Sequence, residues 1–264
     1  MTPVETAVMS LGCLLAGALG AVLGLGGGIF IVPLLSLGLG VPIHEAAGTS
    51  LVCVLATSAA GSVALDRTRL AHARLVAFLG VATVVGGAVS GALAPSVEPR
   101  VVYGLFGAAT AWAGLRLLQR LLAAPAPPPA TSPTDPAAPP PLTGPQRYPV
   151  GVLACVGAGV ASGLLGIGGA PVQVPVMTEV MRVAPPVAFA TSNVVVGITA
   201  AASTAAYYGN GLIRVDLVVP CALASAVGAF VGGRVAPRLP VRPLIVTFVV
   251  VLTYLTGKML WKAI

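Results

Sequence analysis

The chain has 264 residues, of which 57% are hydrophobic and 8% charged, and its mean hydropathy is +1.00. So little charge cannot clothe a soluble globule of this size, and the chain belongs in a lipid bilayer. Its formal charge of +7 would suggest nucleic acid in a soluble protein; here the arginines fall at the ends of apolar runs and in short loops, where they set topology, and no nucleic-acid partner is expected.

The apolar runs reach about 20 residues, the length an α-helix needs to cross the hydrocarbon core, and lack the alternation of a barrel strand. In chain order they lie at about 4–23, 28–39, 45–63, 73–94 and 100–121, then at 149–165, 170–181, 187–206, 215–236 and 242–261. The first has no Lys or Arg before it and no polar cleavage region after it, so it reads as a mature span and not as a secretory signal. The second and seventh are too short: about 12 helical residues cover about 18 Å, against a core of about 30 Å. Each reads as a half-helix that starts after a turn inside the membrane, which is tolerated only where protein or water covers the broken backbone.

These runs are one unit written twice. Gly24-Leu25-Gly26-Gly27-Gly28-Ile29-Phe30-Ile31-Val32-Pro33 returns as Gly166-Ile167-Gly168-Gly169-Ala170-Pro171-Val172-Gln173-Val174-Pro175, and the offset of 142 residues also relates Thr49-Ser50 to Thr191-Ser192, Gly86 to Gly228 and Cys13 to Cys155. The predicted organisation is a first transmembrane repeat at 1–122, a Pro/Ala-rich cytoplasmic linker at 123–147 and a second transmembrane repeat at 148–264. The linker can neither form helix nor bury apolar surface and is expected to be an extended tether. The fold class is all-α: a polytopic membrane protein of two homologous halves with about 8–10 membrane segments.

Charge bears on orientation. The loop at 66–74 carries Arg67, Arg69 and Arg74, whereas its partner at 208–216 carries Arg214 beside Asp216; the next pair of loops reverses the bias, with three arginines at 234–242. Positive loops face the cytoplasm, so matched loops would lie on opposite sides, as in an inverted repeat. Lys258 and Lys262 near the C-terminus pull the other way.

No Asp, Glu, Lys or Arg sits in the middle of an apolar run. A charged ligand would therefore be held by backbone dipoles, hydroxyls and amides, which suit an anion. Half-helices starting near Gly28 and Ala170 expose unpaired N–H groups and the positive end of a dipole, and glycine permits close approach to the backbone. The candidate substrate-binding residues are Gly26, Gly27, Gly28, Thr49 and Ser50 in half one, with Gly168, Gly169, Ala170, Gln173, Thr191, Ser192 and Asn193 in half two. For any one Ser or Thr, a bond to its own helix or to a neighbour is an equal reading. Gln173 and Asn193 are amides that need partners inside lipid. Glycine lines such as Gly86-Gly87 and Gly228 read as close helix packing, and Trp112, Trp261, Tyr207 and Tyr208 as interfacial anchors. No catalytic residue, metal set or cofactor is expected.

The paired glycine motifs, each followed about 16 residues later by Thr-Ser, resemble those of the sulfite exporter TauE/SafE family, also called the sulfonate uptake permease family. The resemblance spans nearly the whole chain outside the linker. It implies a secondary transporter, of exporter type, for small sulfur-containing anions such as sulfite, sulfonates or sulfoacetate, multi-pass in the bacterial inner (cytoplasmic) membrane and not an enzyme. The chain departs from the family pattern in its linker and at Ala170-Pro171, where half one has Gly28-Ile29. A passive anion channel and a cysteine-dependent intramembrane redox protein are the competing readings. The lipid bilayer and a small sulfur oxyanion are the expected partners, and homodimer formation is left open.

Overall fold

A computed structural model describes residues 3–23, 26–65, 73–122, 148–181, 183, 185–235 and 241–263. The linker and the arginine-bearing loops at 66–72 and 236–240, on which the orientation reading leans, lie outside the described residues, as do Gly24 and Leu25. The described elements are helical: α1 (Pro3–Leu23), α2 (Gly28–Pro33), α3 (Ile43–Leu65), α4 (Ala73–Leu93), α5 (Pro99–Leu122), α6 (Tyr148–Leu165), α7 (Ala170–Pro175), α8 (Pro185–Gly209), α9 (Val215–Val235) and α10 (Val241–Ala263). Four of them are long and apolar enough to cross a membrane, over Ile43–Val63, Ala73–Ser96, Val187–Gly209 and Val215–Val235. Exposed Val81, Val85 and Val89 on α4 and Val219, Leu223, Val227 and Val231 on α9 repeat every four residues, giving each helix an apolar outer stripe of the kind that faces lipid.

The two short helices end alike. Pro33 closes α2 and Pro175 closes α7, and each is followed by one wide π-helical turn, Leu34–Gly38 and Val176–Val180. Proline brings no N–H to the helical ladder, and the chain accommodates the gap by widening.

The repeats pack crosswise. Helix α1 lies on α9 and α6 on α4, α3 meets α8, and α5 runs along α10. Each repeat thus lends its fourth helix to the other. Along the α5–α10 pair, Gly107 faces Leu260, Thr110 Oγ1 lies 2.8 Å from Thr256 Oγ1, and Gly114 faces Leu252; the two helices run in opposite directions. So do α3 and α8, where Ser58 lies against Gly197 and Ser62 against Asn193. Antiparallel contact between matched helices is what an inverted repeat requires.

The glycine lines are the crossings. A Cβ on Gly17 would stand 2.1 Å from the Ser225 carbonyl oxygen and one on Gly228 2.0 Å from that of Leu14; in the matching pair, Gly159 would meet Thr83 O and Gly86 would meet Val156 O, both at 2.3 Å. Backbone lies on backbone there, and no other residue fits. Tyr207 departs from its expected interfacial place: it is fully buried, and its hydroxyl donates to Leu164 O at 3.3 Å, whereas Tyr208 and Trp261 are exposed. Position 207 falls on the inner face of α8 because three residues of α8 beyond the run read from the sequence carry the helix on to Gly209.

Candidate functional site

The glycine motifs form two turns that meet at the centre of the molecule. Gly26 and Gly27 have φ of 74° and 77°, and Gly168 and Gly169 have φ of 80° and 75°, a left-handed backbone that side chains disfavour. Helix α2 then opens on Gly27, whose carbonyl accepts from Phe30 and Ile31 N–H at 3.0 and 3.2 Å; α7 opens on Gly169, whose carbonyl accepts from Val172 and Gln173 N–H at 3.1 and 3.0 Å. The turns touch: a Cβ on Gly28 would lie 2.5 Å from Gly166 O and 3.0 Å from Ile167 Cα. Val54 of α3 and its equivalent Val196 of α8 lie beside both Gly26 and Gly168 and close the junction from either side.

Hydroxyls pin the turns. Ser50 Oγ donates to Gly166 O at 2.9 Å across the repeats, and Thr57 Oγ1 donates to Gly26 O at 3.0 Å. Gly26, Gly27, Gly28, Ser50, Gly168, Gly169 and Ala170 are thus brought together, with Gln173 and Ser192 beside them. Thr49 and Asn193 are used elsewhere. Thr49 Oγ1 accepts from the Arg214 backbone N–H at 3.4 Å, on the loop between α8 and α9. Asn193 Nδ2 donates to Ser58 O and Ser62 Oγ, both at 3.1 Å, while Ser58 Oγ donates to Asn193 O, so this amide ties α8 to α3. Thr191 is buried at the start of α8.

Two residues missed by the motif reading matter. Ser162, on α6, is fully buried, its Cβ sits 3.1 Å from where a Cβ on Gly169 would be, and its hydroxyl has no partner. Ser203, on α8, is buried with a hydroxyl in the same condition, near Gly87 and Gly163. A signal existed in the repeat: Ser162 stands where half one has Gly20, and Ser203 where it has Gly61.

Cationic side chains hold the far ends of the half-helices. Lys262 Nζ donates to Ser36 O at 3.2 Å, over the ring of Tyr103, whose hydroxyl lies 2.8 Å from Ser36 Oγ. Arg116 pairs with Glu179 at 2.8 and 3.0 Å. A cavity of about 340 Å³ opens beside the first of these ends, lined by Gly38, Leu39, Gly40, Val41, Pro42, Arg214 and Leu217. Arg214 sits there between Asp216 at 2.8 Å and Glu45 at 3.6 Å, and its hydrogen bond to Asp216 raises its pKa further. One guanidinium between two carboxylates leaves a net negative charge, which repels anions.

Cys13 and Cys155 do not meet. Cys13, Cys53 and Cys221 lie in one core, on α1, α3 and α9; Cys155 belongs to the separate core around Leu75 and Met177. All four are free thiols. Among the described residues no group of three or more His, Cys, Asp or Glu is arranged to hold a metal.

No match was found among curated proteins or among solved structures. The family profile described as Sulfite exporter TauE/SafE matches residues 9–259, from within α1 to within α10, with both glycine turns included. With helices of membrane-spanning length and two glycine turns closed on each other between swapped repeats, the chain belongs to the TauE/SafE family of membrane transporters.

Proposed function

We propose that the protein is a secondary transporter, working as an exporter, of small sulfur-containing anions such as sulfite, sulfonates or sulfoacetate, in the bacterial cytoplasmic membrane. The observation that carries this is the meeting of two left-handed glycine turns, each opening a short helix, at the junction of the repeats. The first N–H groups of α2 and α7 have no partner within their own helices, and the positive end of each dipole lies there. Among the described residues the buried polar ones are Ser, Thr and Gln, with no Lys, Arg, Asp or Glu, so the cargo is held by neutral donors.

The described conformation is closed: backbone meets backbone at Gly28 and Gly166, and Val54 and Val196 fill the flanks. Transport needs these hairpins to part on one side at a time, and the crosswise loan of α4 and α9 makes any shift of one bundle move helices of both repeats. With no carboxylate at depth, efflux down a gradient or proton movement on the anion itself fits better than sodium coupling.

A ligand that binds only the folded state raises its apparent stability. The purified protein in detergent is expected to melt at higher temperature with sulfite or a sulfonate and not with chloride. Saturable counterflow of the same anion in liposomes then separates a carrier from a channel. No shift with any sulfur anion, beside a shift with a cation, overturns the reading.

A further inference from the structure

The two hairpins have one backbone and different interiors. At the α6–α7 turn, Gln173 is fully buried and folds back over Gly169: its Nε2 lies 3.0 Å from the position of a Gly169 Cβ, and its Oε1 accepts from Ser192 Oγ at 3.3 Å. Gln173 Nε2 and Ser162 Oγ belong to fully buried residues and have no hydrogen-bond partner, and both side chains lie against Gly169, the first through Nε2 and the second through its Cβ. The corresponding positions around Gly27 are Ile31 and Gly20. A Cβ on Gly20 would lie 2.2 Å from Gly27 N, so that hairpin is closed on itself with no room for a polar group.

Buried donors without partners are costly, and native proteins keep few. Two of them stand beside one turn, from α6 and α7, and Ser192 of α8 fixes the amide that carries one. We infer that Ser162, Gln173 and Ser192 are an oxyanion subsite in the second hairpin, where the first has Gly20, Ile31 and Ser50, and that it takes one singly charged oxyanion group, such as a sulfonate or a hydrogen sulfite. This rests on the transport reading above. The charge follows from the surroundings: the cost of desolvating an ion grows with the square of its charge, so a dianion costs about four times as much as a monoanion, and among the described residues no buried side chain is a cation that could offset it. The carrier is therefore asymmetric at its site despite its symmetric frame.

The test is thermal stabilisation of the full chain in detergent by methanesulfonate, sulfite, sulfate and thiosulfate, for wild type, Gln173→Met, Ser162→Ala and the remote control Thr110→Val. Wild type and Thr110→Val are expected to respond to methanesulfonate and sulfite, and not to sulfate or thiosulfate. Ligand-free Gln173→Met is expected to melt at or above the wild-type temperature, because an orphan donor is gone, with its apparent affinity for methanesulfonate down at least tenfold; Ser162→Ala should lose about threefold, and it carries the test should Gln173→Met not fold. Wild-type shifts in both variants, or a stronger response to the dianions than to methanesulfonate, overturn the subsite while leaving anion transport standing. A wild-type protein that answers to none of the four overturns both.

Discussion

The hairpin of α1 and α2 and the hairpin of α6 and α7 turn at matched glycines, start their short helices on matched left-handed residues and end on matched prolines and π-helical turns. Inside, they part company. The first is apolar and tight, with Gly20 against Gly27 and a fully buried Ile31; the second carries buried Ser162 and Gln173 against Gly169. A duplicated fold needs both copies for its frame, since the helices are exchanged, yet it needs polar donors in only one. The frame is held by backbone and packing, whereas the proposed subsite rests on side chains, two of which, Ser162 and Gln173, have no polar equivalent in the first half.

The frame should break equally from either side. Gly17→Val and Gly159→Val place branched side chains where even a Cβ would be 2.1 and 2.3 Å from a carbonyl oxygen. Each is expected to cost about 3 kcal/mol or more, by forcing helices apart, and to abolish monodisperse elution from size-exclusion chromatography. If one variant elutes normally, the two crossings are not equivalent.

The turns themselves should separate the hairpins. Gly27→Ala and Gly169→Ala both place a side chain in the left-handed region, at about 1–2 kcal/mol. At Gly27 the new methyl lies 3.2 Å from Ala16 O and meets only backbone; at Gly169 it lies 3.0 Å from Gln173 Nε2 and pushes on the amide. Similar losses of stability are expected, with liposome anion flux per folded molecule about tenfold lower for Gly169→Ala than for Gly27→Ala. Equal flux in the two would remove the functional difference between the turns.

The frame was legible in the amino-acid order. Ten apolar runs separated by Gly, Pro and charge became ten helices, and Pro33 and Pro175 marked the ends of the half-helices, because length, period and backbone-breaking residues act locally. The exchange of α4 and α9 was not legible, since it depends on which surfaces meet. For the same reason Thr49 and Asn193, chosen for polarity and position, proved tied to Arg214 N and to α3: a sequence shows that a polar group needs a partner and not which one it finds. Ser162 was readable only as a mismatch, a serine where the other copy has Gly20.

Ile31→Gln copies the second hairpin's amide into the first and sharpens the comparison. Ile31 is fully buried, and its neighbour at the position of Ser162 is Gly20, so the new amide finds no hydroxyl from α1. An unpaired buried amide costs about 1–3 kcal/mol. The variant is expected to melt lower, with unchanged methanesulfonate affinity; a gain in affinity would mean that the first turn has room for a ligand after all.

The smallest effects belong to the ends of the half-helices. Arg116 meets Glu179 with side chains 39% and 50% exposed, and such pairs contribute about 0.2–1 kcal/mol, screened by salt. Lys262 instead donates to the backbone carbonyl of Ser36, near the negative end of the first half-helix, with Tyr103 packed under its stem. The hydrogen bond and the aromatic contact act at short range, so salt screens only the contribution of the helix end. Arg116→Ala is therefore expected to lower the melting temperature at low ionic strength and to match wild type at about 1 M salt, where the Debye length is about 3 Å. Lys262→Ala should keep most of its deficit there. Melting curves at two salt concentrations decide it: if both deficits vanish together, the two hairpins are anchored by the same long-range electrostatics, and their difference is confined to the turns.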